Sequence, residues 1–85
     1  MRFNGSLYKG GKLIAGVAGE INTKQRPGGG PIHRSGSLTV SVNVGKAIDG
    51  GDVFELRLDD GNVFQIMVDA VNITQQGGIV KFVVN

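Results

Sequence analysis

Five aspartates, Asp49, Asp52, Asp59, Asp60 and Asp69, are the residues of this chain best suited to acid–base chemistry. Two carboxylates held close together take different protonation states and can serve as acid and base. Their surroundings point to a plainer role. Asp49 and Asp52 flank Gly50-Gly51, and Asp59 and Asp60 lead into Gly61, so each pair is placed to cap a turn with its own side chain. Asp69, behind the apolar run Ile66-Met67-Val68, stands apart and is the carboxylate whose burial would matter most.

Other chemistries find fewer parts. A nucleophilic serine needs a base, and His33 is the one histidine. With one His and no Cys, the chain has no Cys–His site and too few nitrogen or sulfur ligands for zinc. The glycines of 28–36 lack the Gly-Lys-Ser/Thr ending of a phosphate loop, and Gly16-Val17-Ala18-Gly19 opens no helix after a strand. No catalytic residue, cofactor or metal is therefore expected, and the chain reads as a non-enzyme.

The basic residues form a second set. From Asn22 to Gly36 the chain is rich in Gly and Pro and carries Lys24, Arg26, His33 and Arg34 with no acidic residue. A stretch of this length without regular structure is uncommon in a compact domain. Glycine backbone allows close approach to a phosphate-bearing ligand and guanidinium groups can grip it with two parallel hydrogen bonds, so these four residues are the candidate anion-binding site. A flexible, solvated hairpin loop that happens to be basic is the simpler reading, and the preferred one.

Strands must position these groups. Apolar residues recur with a period of two, and Val, Ile, Phe and Thr are frequent. A first strand holds Phe3, Gly5 and Leu7 on one face. Gly10-Gly11 turns it into a second, Leu13 to Ile21, where Gly16 and Gly19 mark a bulge or a bend at a barrel corner. Ser37 to Val44 alternates cleanly, with Leu38, Val40, Val42 and Val44 inward. Lys46 to Gly51 is a connection. A fourth strand, Asp52 to Asp59, turns at Asp60-Gly61 into a fifth carrying Phe64, Ile66 and Val68, with a register change expected near Ala70-Val71. Gln75 to Gly78 leads to the last, Ile79 to Val84.

Six strands in 85 residues predict an all-β domain, a small antiparallel barrel or a compact two-layer sandwich of the same size, with one long Gly/Pro-rich basic loop over 22–36. Phe54, Phe64 and Phe82 should form the heart of its core. Gly-Ser-Leu occurs at 5–7 and again at 36–38, but the segments that follow align poorly and no duplication is read. The turn in Leu56-Arg57-Leu58-Asp59-Asp60-Gly61 resembles that of many small β-domains, and the resemblance implies no site.

The length supports one domain, 1–85, with one core and no disulfide to brace it. No basic cluster with an apolar stretch opens the chain, and no apolar run approaches the roughly 20 residues that span a bilayer. A cytoplasmic protein without membrane contact is the expectation.

Net charge is +2, yet residues 1–48 hold seven basic residues against one acidic, +6, and residues 49–85 hold two against six, −4. Strands of a small barrel usually intermix, which would average this asymmetry away; if instead the halves lie on different faces, the molecule can meet an anionic partner or a second copy. The function expected first is protein–protein contact or a structural role, by strand addition at an edge or by pairing of oppositely charged faces. The alternative is a weak binder of an anionic polymer such as single-stranded nucleic acid, for which Tyr8 is the one aromatic free to stack on a base.

Overall fold

The computed structural model describes residues 1–24 and 33–84. Its elements are β1 (Arg2–Lys9), β2 (Lys12–Lys24), β3 (His33–Val40), α1 (Val42–Lys46), β4 (Val53–Leu58), β5 (Val63–Thr74) and β6 (Gly77–Val84). Neighbouring strands are antiparallel throughout and follow the order β1-β2-β3-β6-β5-β4, with β4 pairing back onto β1 to close a six-stranded barrel. Every strand has a neighbour on both sides over part of its length, while β2 beyond Ile21 and β5 beyond Val68 pair on one side only.

The alternation of side chains makes the core. Leu7, Leu38, Leu56, Ile66, Val68, Val80 and Phe82 are almost wholly withdrawn from solvent, and among the described residues no polar or charged side chain is buried with them. Phe3 and Phe82 meet edge to face, with centroids 6.5 Å apart. Phe54 is buried, whereas Phe64 is half-buried at one mouth of the barrel. The aromatic heart is thus Phe3, Phe82 and Phe54, with Phe64 at its margin.

Turns follow the chemistry of their residues. Gly10 and Gly11 both have positive φ, 60° and 80°, as a two-residue primed turn requires. At the next hairpin Gly61 alone has positive φ, 96°. The turn is accordingly a three-residue connection between Leu58 and Asn62, in which the Gly61 amide donates to the Leu58 carbonyl and the Leu58 amide donates to the Asn62 carbonyl. Asp60 does not have positive φ, and its carboxylate accepts from the Asn62 backbone amide at 2.9 Å.

Three regions depart from the pattern read in the sequence. The regular alternation of 37–44 breaks after Val40: Ser41 accepts from the Val44 amide at 3.3 Å and caps α1, so Val42 and Val44 are helical. The chain here must cross the barrel mouth from β3 to β4, and α1 packs against β5 and β6 on the way. Ile48, in the connection that follows, is 5% exposed and joins the core. The expected register change in β5 falls between Val68 and Ala70, so that Val71 comes opposite the buried Val80, and Asp69 at the bulge is exposed. And the stretch 22–36 is strand at both ends, since β2 runs on to Lys24 and β3 begins at His33; residues 25–32 lie outside the described residues.

Candidate functional site

β2 and β3 carry the basic candidates. In their register Lys24 stands opposite His33 and Thr23 opposite Arg34, so three of the four residues gather at the end of one hairpin. Arg26 lies outside the described residues. Arg34 is engaged: its guanidinium sits 5.9 Å from the centroid of the Phe64 ring, a cation–π contact at the barrel mouth. The structure therefore brings the basic positions together along the backbone and directs Arg34 onto an aromatic ring of the same molecule.

The carboxylates take the turn roles their spacing suggested. Asp52 accepts from the Asp49 amide at 2.9 Å, and Asp60 holds both the backbone and the side chain of Asn62. Asp69 is exposed at the β5 bulge. Among the described residues no group of three His, Asp or Glu side chains is close enough to hold a metal ion. Tyr8, the aromatic left outward by the strand pattern, has one face covered by the Arg57 guanidinium at 4.1 Å. Arg57 also pairs with Glu55 at 2.7 Å, so this contact bridges the β1/β4 seam without leaving a free ring for stacking on both sides.

Strand order decides the fate of the charge asymmetry. β1, β2 and β3 are consecutive around the barrel, and so are β4, β5 and β6. The halves of the chain therefore do not intermix; each builds one wall. Residues 1–40 carry six basic residues and Glu20, +5; residues 53–84 carry two basic and four acidic, −2; the crossing segment 41–52 carries Lys46, Asp49 and Asp52, −1, which together restore +2. β2 and β5, the middle strands of the two walls, are three steps apart in a ring of six and so lie on opposite sides.

The walls also differ in relief. Outside β4–β6, Val53 stands opposite Met67 and Met67 opposite Val83, an apolar row across three strands. Outside β1–β3, the small residues Asn4, Ala18 and Thr39 occupy the equivalent row, over a shallow hollow of about 590 Å³. A second, more apolar groove of about 280 Å³ lies between α1 and the β1–β2 turn, floored by Ile48 and Phe54. The outward apolar row escaped the reading of the sequence, although its signal was present: Val63-Phe64-Gln65-Ile66-Met67-Val68 is apolar at nearly every position, more than a strand with one wet face needs.

Compared with protein-family models, with curated proteins and with solved structures, the chain matches none.

Proposed function

We propose that this chain is a non-enzymatic interaction module that acts through protein–protein contact. The observation that carries the reading is the strand order, which keeps β1–β3, +4 over the strands, side by side in the closed barrel and apart from β4–β6, whose strands sum to zero and whose excess acidity sits in the Asp59-Asp60 turn. A face with one sign of charge steers and orients a partner more than it adds affinity, which is the behaviour of a docking surface. Barrel closure consumes most of the strand edges, which favours contact through faces. A cytoplasmic setting is part of the proposal, supported by a chain without cysteine.

The second reading, a binder of an anionic polymer, is favoured by the register that gathers Lys24, His33 and Arg34 at one hairpin end. Against it weigh the contact of Arg34 with Phe64 and the covering of Tyr8 by Arg57. An amide-resolved NMR titration with a short single-stranded oligonucleotide, at low and at physiological salt, separates the two. The expected result at about 0.15 M salt is binding no tighter than the non-specific range of about 10⁻⁴–10⁻⁶ M. Tighter binding, with salt-sensitive shifts at Lys24, Arg26, His33 and Arg34, would replace the module by a polyanion binder.

A further inference from the structure

The apolar groove between α1 and the β1–β2 turn is built by three separate stretches of the chain. Ile48 and Phe54, both buried, make its floor, and Val44 and Ala47 line it from α1 and its C-terminal end. Ile14 completes it through a bulge. β1 and β2 shift register between the pairs Leu7–Ala15 and Tyr8–Leu13, so Ile14 is an extra residue with no partner across these strands. It lines the groove and is 38% exposed. Bulges re-aim single side chains in this way beside binding sites. The volume, about 280 Å³, falls just below the roughly 300–1,000 Å³ of pockets that enclose whole ligands, which suits the groove to one large apolar side chain.

Two polar residues border this apolar surface, and each matches a different group. Lys9 holds its ammonium 5.3 Å from the centroid of the Phe54 ring, over the floor. Its partner Asp52 is 3.8 Å away, with the two side chains 54% and 27% exposed. An ion pair so long and so wet contributes little, so the ammonium can take a second carboxylate at small cost. The charged residues of the bordering segments are Lys9, Lys12 and Lys46 against Asp49 and Asp52, which leaves +1, the complement of a single anion. Asn43, exposed on α1, carries a carboxamide whose oxygen can accept from a backbone amide.

An apolar side chain, a carboxylate and a backbone N–H occur together in the last residue of a polypeptide. We infer that the groove receives the C-terminal residue of a partner protein, its large apolar side chain against Ile14, Ile48 and Phe54, its carboxylate at Lys9 and its amide at Asn43. Capture of a chain end by its carboxylate is a recurring mode of peptide recognition. The inference rests on the interaction-module reading and gives that partner its chemistry.

An amide-resolved NMR titration with three probes tests it: acetyl-glycyl-glycyl-leucine as the free acid, the same peptide as its C-terminal amide, and octanoate, an apolar carboxylate without a backbone N–H. The free acid should bind with a Kd of about 10⁻³ M, the strength open to a contact of roughly ten non-hydrogen atoms, and shift the amides of 9–14 and 43–54. The peptide amide and octanoate should each bind about tenfold more weakly, since each lacks one hydrogen-bonding group. Lys9→Gln should erase the difference between acid and amide, and Ala47→Gln, at an exposed position in the groove, should weaken the free acid about fivefold. Amide spectra of both variants verify that the barrel persists. Absence of shifts at the groove with about 10 mM free acid overturns the inference, as do equal affinities of acid and amide for the wild type, or octanoate binding as tightly as the acid. A groove that ignores the peptide, in a chain that also ignores the oligonucleotide, leaves the module reading to another surface, whereas tight oligonucleotide binding removes that reading itself.

Discussion

On the inner side of the β1–β3 wall, Gly5, Gly19 and Gly36 stand among Phe3, Leu7, Val17 and Leu38, whereas the middle of the β4–β6 wall carries Phe54, Leu56, Ile66, Val68 and Phe82. The glycines are required by clearance. A Cβ on Gly19 would collide with the Ser37 carbonyl oxygen, and one on Gly36 with the Glu20 carbonyl oxygen, so the β2 and β3 backbones press together at this corner of the barrel. The space that the glycines leave open inside is taken up from the other wall. Phe82 is the register partner of Gly36, and its ring reaches across to meet Phe3. One wall bends at its glycines, and a ring from the other fills the space they leave. A small closed barrel needs both, because strands that turn tightly bring their backbones too close for side chains, and the interior must still be packed without voids.

Replacing volume should do the most harm. Phe82→Ala is expected to cost about 3–5 kcal/mol, a large part of the stability of a domain this small, and a thermal melt followed by circular dichroism reads it. Phe64→Ala, which removes a ring already half in water, should cost about 1–2 kcal/mol. If the two variants melted together, the filling of the core would not be concentrated where the walls meet.

Clearance comes next. Gly19→Ala should destabilise by about 1–3 kcal/mol, since a single methyl group must displace backbone. Gly16→Ala, on the same strand, would meet nothing within 4 Å and should stay within about 0.5 kcal/mol of wild type in urea titrations. Equal midpoints for the two would mean that β2 is not bent by the demand for close approach. The mildest expected loss belongs to the segment that joins the walls: Ser41→Ala removes the cap of α1 and should cost about 1 kcal/mol, with the largest changes in amide exchange confined to 41–48. A loss spread evenly over both walls would make α1 part of the barrel rather than a bridge across its mouth.

Much of this architecture was legible in the residues. Period-two alternation identified the strands and the inward sets Leu38 and Val40, Phe54, Leu56 and Leu58, and Val80 and Phe82. Gly10-Gly11 announced its turn through the one conformation that glycine adopts freely. The turn roles of Asp52 and Asp60 were readable from their neighbours, because such hydrogen bonds span only two or three residues. The helix at Val42–Lys46 was hidden, since Val-Asn-Val continues the strand alternation and a capped single turn of helix leaves almost no periodic trace. Of the basic candidates, the spacing located the hairpin that carries them but not the partner of Arg34, because Phe64 is thirty residues away in sequence.

What the sequence determined by itself was the side of each strand on which a residue stands, for side chains alternate along any extended backbone. Which strands become neighbours is another matter, since the hydrogen bonds that join them are made by backbone groups common to every residue. Closure in the order β1-β2-β3-β6-β5-β4 decided that question. It kept the two halves of the chain on separate walls, set Gly36 opposite Phe82, and lined up Val53, Met67 and Val83 from three strands into one row. Only the tertiary fold could decide these relations, because each depends on residues brought together by pairings and by no local pattern.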